Sequence, residues 1–388
     1  MKLLVLSFDY YPDVGVGSMR TAALIDHFLK LQRSDIKIDL ITTMPHRYSG
    51  VQSAVPELEY QDQLRIRRIP IPKHHNSLLG QAWAFFRYAH QIRKMVRYEK
   101  YKVVYASSSR LMMASLGAWI AKSQQSILYL DIRGLFSDTL RDKLPNRLSR
   151  YLVPILGKLE DWTLASAHHV NVVSKGYEPH MQARFPTKKI SCYVNGIDKN
   201  FLQHGFKSPD KASEQFTLLY VGNIGEGQGL EQIIPQLAKR LEGCAQIKII
   251  GDGSRKIHLE AAIQALYCTN VELLAPVQRD ALFQVYAQAD VLFLHMKDCN
   301  AFRKMLPAKI FEYAATGKPI LAGVAGFAAE FIQTEIPNAV VFRPYDTEHA
   351  LKEIAKLDFA LDEREEFVKK YQRDVIMQSM ARELMAYF

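Results

Sequence analysis

The segment Leu306-Pro307-Ala308-Lys309-Ile310-Phe311-Glu312-Tyr313-Ala314-Ala315-Thr316-Gly317-Lys318-Pro319-Ile320 carries two side chains whose types and spacing could do chemistry. Pro307 suits a helix start, Lys309 then lies in the first turn, and Glu312 follows three residues later on the same face. Gly317 and Pro319 end the helix and lead into a buried strand. A lysine near a helix N-terminus opposes the helix dipole, so an anion such as a pyrophosphate would offset it. A carboxylate one turn on can accept two hydrogen bonds from a vicinal diol such as a ribose. The same two residues also read as an exposed Lys–Glu pair worth about 0.3–0.5 kcal/mol.

Glycine-bearing loops supply the second signal. After a strand FTLLYVG come Gly222-Asn223-Ile224-Gly225-Glu226-Gly227-Gln228-Gly229 and then a helical pattern, LEQIIPQLAKRL. Glycines at that density fit phosphate cradling by backbone N–H groups better than turn geometry alone. No GK[ST] follows, so this is not a P-loop. Gly251-Asp252-Gly253 ends the next strand in the same way. The first strand of the chain leads into Asp9-Tyr10-Tyr11-Pro12-Asp13-Val14-Gly15-Val16-Gly17-Ser18-Met19-Arg20. Arg20 stands where a GxGxxG motif would have its third glycine, so a nicotinamide dinucleotide site is poorly supported. A tight strand-to-helix turn is the plain alternative.

The elements that must position these groups alternate in βα fashion. Expected strands in the first half are Lys2–Phe8, Ile36–Thr43, Arg65–Ile71, Val103–Ala106, Ile127–Asp131, His169–Ser174 and Lys189–Val194. In the second half they are Phe216–Gly222, Gln246–Gly251, Val271–Ala275, Val291–His295, Pro319–Gly323 and Ala339–Phe342. Continuous β-branched runs between helical segments mark parallel sheets covered on both faces. The expected fold class is α/β: two Rossmann-like doubly wound domains facing across a cleft, with ligand at the C-terminal ends of the strands. The expected domains are 1–205 and 206–370, joined through the polar stretch 201–215, with a C-terminal helix at 371–388 packing back on the first.

The composition agrees. A chain of 388 residues with 48% apolar and 23% charged residues suits about two globular domains. No apolar run reaches the roughly 20 residues of a membrane span. Cys192, Cys244, Cys268 and Cys299 form no CxxC, which disfavours a disulfide scaffold or a cysteine zinc site and fits a reducing compartment. The apolar N-terminal stretch breaks at Asp9, too early for a signal peptide, and reads as a strand.

The formal charge of +10 is uneven. Residues 1–200 hold 29 Lys and Arg against 16 Asp and Glu, and residues 61–110 hold 11 against 2. Such a face favours an anionic partner: lipid, nucleic acid or a phosphorylated substrate. Residues 78–99 read as a helix with Ala82, Phe85, Ala89, Ile92 and Val96 inward. Trp83, Arg87, His90, Lys94 and Arg97 lie outward, with Phe86 and Arg93 at the edge. Aromatics beside cations suit a membrane interface, and a solvated basic face is the alternative. No recognised nucleic-acid module accompanies the charge, so a nucleic-acid partner is not expected.

Taken together, the stretches YYPDVGVGSMR, VNVVSKG, YVNGIDKNF, YVGNIGEGQGLEQII, IIGDG and PAKIFEYAATGKPIL resemble the retaining glycosyltransferases of family four, of GT-B architecture. The order and spacing agree over nearly the whole chain. The resemblance is strongest to bacterial enzymes of lipopolysaccharide, capsule or exopolysaccharide synthesis. It implies transfer of a hexosyl or N-acetylhexosaminyl group from a nucleoside-diphosphate sugar, UDP by family frequency, to a glycan or lipid-linked acceptor. It implies no cofactor and no metal, with the nucleotide sugar as co-substrate. Glu312 would hold the ribose hydroxyls, Lys309 would face the pyrophosphate, and Gly222, Asn223, Gly251 and Gly253 would lie near the diphosphate or sugar. Val277 would mark the backbone that reads the base. Gly15, Gly17 and Arg20 would form the acceptor or phosphate loop.

The chain departs from the family pattern where Asn223 and Gln228 replace an Arg and a Lys, and where Lys304 replaces a first glutamate. Arg303, Lys304 and Lys309 together could make up the lost charge. On the acceptor side the resemblance points to the end of strand ILYLD, where Asp131 and Arg133 are the catalytic candidates, or a buried structural pair. The basic and aromatic helix face, together with the lipid-linked acceptor that the resemblance implies, leads to the expectation of a cytoplasmic protein, peripheral on the inner face of the inner membrane through Trp83, Phe86, Arg87, Arg93, Lys94 and Arg97. A nucleotide-sugar epimerase of the same architecture, or a non-catalytic nucleotide-sugar-binding scaffold, are the alternatives.

Overall fold

The structure, a computed structural model, describes residues 1–13, 15–31, 33–45, 55–71, 78–108, 111–143, 146–206 and 215–388. Two compact units emerge, Met1–Asn195 together with Arg373–Phe388, and Gly196–Gln372. The second unit begins inside the domain expected at 1–205. Part of the polar stretch at 201–215 is ordered within it, and residues 207–214 lie outside the described residues.

The first unit holds β1 (Lys2–Leu6), β2 (Lys37–Thr43), β3 (Leu58–Gln61), β4 (Leu64–Ile69), β5 (Val103–Ser108), β6 (Ile127–Ile132), β7 (His169–Val172) and β8 (Lys189–Cys192). They form one sheet in the order β3-β4-β2-β1-β5-β6-β7-β8. Every pairing is parallel except β3 with β4. Strands such as VVYASS are buried at every residue because helices cover both faces. Those helices are α1 (Val16–Lys30), α2 (Leu78–Val96), α3 (Leu111–Gln124), α4 (Phe136–Lys143), α5 (Asn146–Ser166) and α6 (Glu178–Arg184). β3 was not expected. Its sequence LEYQ is half polar and mostly exposed, and only the hairpin at Asp62 (φ 48°) marks it.

The second unit begins with α7 (Lys199–Gln203), whose Phe201 ring packs 5.0 Å from Phe283. Its sheet contains β9 (Phe216–Val221), β10 (Ala245–Ile250), β11 (Val271–Leu274), β12 (Val291–His295), β13 (Ile320–Gly323) and β14 (Ala339–Phe342). All pairings are parallel, in the order β11-β10-β9-β12-β13-β14. The connecting helices are α8 (Leu230–Arg240), α9 (Lys256–Ala265), α10 (Arg279–Ala287), α11 (Asn300–Arg303), α12 (Lys309–Ala315), α13 (Phe327–Glu335), α14 (Thr347–Ile354) and α15 (Glu365–Lys370). The strand order reverses between β9 and β12 here, and between β1 and β5 in the first unit. The ends of those strands are where open α/β sheets bind ligands.

The last helix, α16 (Arg373–Met385), belongs to the first unit. Met377, Met380, Ala381 and Leu384 are buried in a core shared with Leu24, Ile25 and Phe28 of α1. Tyr129 Oη donates to Glu383 at 2.8 Å, and His169 Nδ1 lies 2.8 Å from Tyr387 Oη. The helix is thus keyed to the sheet by polar as well as apolar contacts.

Three arginines of the basic stretch at 61–110 are neutralised internally. Arg65 and Arg67 both pair with buried Asp39, and Arg68 pairs with Glu59. The inner face of α2 is also turned from the expected one. Ala84, Tyr88, Ile92 and Val96 are buried, while Phe85 and Ala89 are half-buried; the Ala82 side chain lies outside the described residues.

Candidate functional site

At the end of β9 the chain enters its glycine-rich loop in a conformation only glycine takes easily, with Gly222 at φ +140°. The site is crowded from above: a side chain on Gly222 would strike Lys309 Nζ. That ammonium lies 4.0 Å from the centroid of the Tyr220 ring and 5.8 Å from that of Tyr313, a cation–π seat. Tyr313 fixes α12 to the strand, because its hydroxyl accepts from Val221 N at 3.2 Å. Tyr220 Oη in turn donates to Asn223 O at 2.6 Å. Lys309 is the first residue of α12 and Glu312 follows one turn later, as the spacing indicated.

This lysine is half-buried, with its ammonium tucked over the Tyr220 ring. Burial pushes its pKa down to about 7, with Glu312 opposing the shift. A half-buried ammonium seated over ring faces is set to gain from an anion that reaches it.

The loop itself is braced without charge. Asn223 Nδ2 donates to Gln228 Oε1 at 3.0 Å, and Gly225 N donates to the same oxygen at 3.2 Å. The two uncharged replacements therefore bond each other. His295, at the end of β12, holds the loop from behind: its Nδ1 lies 2.6 Å from Gln228 O, and its Nε2 accepts from Tyr345 N at 3.1 Å. Burial pushes His295 down to about 4, so the ring is neutral with its proton on Nδ1. Sequence reading passed over His295, Tyr220, Tyr313 and Tyr345. The strand-end position of His295 was the available signal.

Other expected donor residues fall differently. Gly251 and Gly253 are glycines because a side chain at either would strike the backbone of Gly222 or Ile224, so crossing chains account for them. Arg303 does not join Lys309: its guanidinium is held by exposed Asp298 at 2.6 and 2.8 Å. Lys304 is the C-cap residue of α11, and Lys309 is the cation that stands against Gly222 in the loop. Val277 lines a mainly apolar cavity of about 280 Å³ with Leu219, Ile250, Leu274 and Val285.

In the first unit the expectation for Asp131 fails. The carboxylate is fully buried and held by four donors: Arg20 Nε at 2.9 Å, Arg20 Nη2 at 3.0 Å, Tyr105 Oη at 2.8 Å and Asn171 Nδ2 at 2.6 Å. Asp131 is a structural counter-ion and cannot touch a substrate. Its ion-pair partner is Arg20, not Arg133, so Arg20 is likewise withdrawn from the glycine loop into the core. Arg133 lies instead against the N-terminus of α1, where a side chain on Gly17 would strike its Nη1. Gly15 is the N-cap of that helix and adds no side chain to it. Burial lowers the Arg133 pKa, opposed by Asp131. Arg133 also borders a cavity of about 300 Å³ with Ser108, Leu111, Ile132, Leu135 and Phe136 at the ends of β5 and β6. Among the described residues no cluster of His, Cys, Asp and Glu is set to hold a metal ion.

Residues 204–374 match the model of the family described as glycosyl transferases group 1. WcaI of Escherichia coli (strain K12), named for glycosyl transfer in colanic acid biosynthesis, is 29% identical over 125 residues. That match covers 32% of this chain and 30% of the relative's length. Three solved structures align over 100% of this chain and 100% of their own. They are sucrose-phosphate synthase from Thermosynechococcus elongatus (TM-score 0.74, 15% identity), the apo lipopolysaccharide outer core galactosyltransferase WaaB (0.68, 12%) and HepE of Anabaena in complex with UDP (0.67, 16%). The fold is that of the GT-B glycosyltransferases. With the group 1 match over the second unit, it supports a glycosyltransferase of that fold.

Proposed function

We propose that this chain is a retaining glycosyltransferase that moves a hexosyl or N-acetylhexosaminyl group from a nucleoside-diphosphate sugar to a glycan or lipid-linked acceptor of a surface polysaccharide. One observation carries the reading. A half-buried ammonium, Lys309, sits against Gly222 at the strand-order reversal of the second unit, one turn before Glu312. In this reading Lys309 meets the pyrophosphate and stabilises the diphosphate as it leaves. Glu312 accepts from the ribose hydroxyls, and the backbone near Val277 reads the base. Support for UDP comes from the UDP complex of HepE. Support for a surface polysaccharide comes from the names of WcaI and WaaB. Arg133 and the Gly15–Gly17 turn form the acceptor side, where a guanidinium beside a helix N-terminus suits an anionic acceptor group.

The test is release of UDP from UDP-hexoses and UDP-N-acetylhexosamines, with and without a bacterial glycolipid extract as acceptor. Acceptor-dependent release, with retention of the anomeric configuration and abolished in Lys309→Ala, is expected. Conversion of the donor without acceptor would instead indicate an epimerase. The Asn223–Gln228 lock, which replaces two charges with a neutral pair, favours a second reading as a nucleotide-sugar-binding scaffold. Tight binding with no release under any acceptor would establish that reading.

A further inference from the structure

Two neighbouring helices of the first unit present side chains that the donor and acceptor sites do not use. On α2, Trp83 is 59% exposed and Phe86 62%, and their rings stack at 5.9 Å. Arg87, Arg93, Lys94 and Arg97 are exposed along the same side. On α3, Trp119 and Met112 are each 40% exposed, and Lys122 is exposed one turn beyond Trp119. The Arg93 guanidinium lies 5.3 Å from the centroid of the Trp119 ring, so the two helices share one surface. Neither helix contains an Asp or Glu. Among the described residues none of these cations forms an ion pair, whereas Arg65, Arg67 and Arg68 nearby are all paired. The fold neutralises its inward arginines and leaves the outward ones open.

We infer that α2 and α3 form a docking face for a bilayer that carries anionic lipid headgroups. The charge complementarity is one-sided: cations without a single acid. The aromatics decide between lipid and nucleic acid. Single-stranded nucleic acid stacks its bases on open ring faces. Here Trp83 and Phe86 turn their faces on each other, and Arg93 caps Trp119. Rings placed among cations suit the headgroup layer, where the ring enters and the cation meets phosphate. No helix among the described residues is long and apolar enough to cross a membrane, so the contact is peripheral. The structure adds α3 to the single helix face read from sequence. The inference does not rest on the transferase reading.

The full chain should float with phosphatidylcholine vesicles only when phosphatidylglycerol is added, and less so as salt rises. Tryptophan emission should shift to the blue on binding. Substituting Arg93→Gln, Lys94→Gln and Arg97→Gln should weaken partition about fivefold per charge. The pair Trp83→Ala with Phe86→Ala should weaken it about tenfold or more and reduce the emission shift to the part that Trp119 contributes. These exposed substitutions should leave the melting temperature unchanged. Lys309→Ala should partition as the parent does, so a failed donor site and a failed docking face are told apart. No flotation with phosphatidylglycerol at low salt would overturn the inference. Undiminished flotation of the charge and aromatic variants would do the same, as would RNA displacing the protein from vesicles through these residues.

Discussion

Lys309 is the residue on which the proposed donor site turns, and its environment has consequences that can be measured. In the proposed site, replacing it with Ala would remove a charge-assisted contact to the diphosphate, so donor affinity should fall about 10- to 100-fold in titration calorimetry. The sign of the pH dependence follows from its depressed pKa of about 7. Above that pH the free protein carries a neutral Lys309, and a bound pyrophosphate favours the ammonium, so binding takes up a proton. Affinity for a nucleotide sugar, whose diester does not titrate here, should therefore fall as pH rises through 7, and Lys309→Arg should abolish that slope. His295, pushed down to about 4, stays neutral over this range and contributes no slope. Asp131 belongs to stability rather than chemistry: Asp131→Ala strands the buried Arg20 guanidinium and should cost about 3–5 kcal/mol in denaturant unfolding. Lys309 and Glu312 were legible in the sequence because one helical turn joins them. The Arg20–Asp131 pair was not, because its partners stand on elements far apart in the chain that only the sheet order brings together. The Tyr220–Tyr313 seat was hidden for the same reason.

At the scale of elements, the strands were the most legible feature, since buried parallel strands are continuous apolar runs and need no partner to be recognised. β3 escaped because an exposed polar edge strand is defined by its hairpin partner rather than by its own composition. The face of α2 shifted for a related reason: a helix with aromatics on two sides leaves its inward side to packing. The glycine-rich loop is positioned by β12 as well as β9, through His295. His295→Ala removes the bonds to Gln228 and Tyr345, so donor affinity should fall about fivefold with the pH slope intact. Calorimetry across pH on that variant checks both parts, and a lost slope would contradict the assignment of the titration to Lys309.

At the scale of the whole molecule, the last helix ties the C-terminal end of the described chain to the first unit, as its helical pattern without a following strand suggested. Met380→Ala should cost that unit about 2–5 kcal/mol, with hydrogen exchange accelerating in α1 and the β1 region and not in the second unit's sheet. The group 1 match falls on the unit that holds Lys309 and Glu312, so the donor site is where the central claim is most open to failure. It is tested most directly by calorimetric binding of UDP, GDP, ADP and CDP to the parent protein, Lys309→Ala and Glu312→Ala. The account predicts selective binding of one diphosphate, UDP, lost or weakened at least tenfold in both variants. Binding of no diphosphate, or binding indifferent to both substitutions, would contradict it.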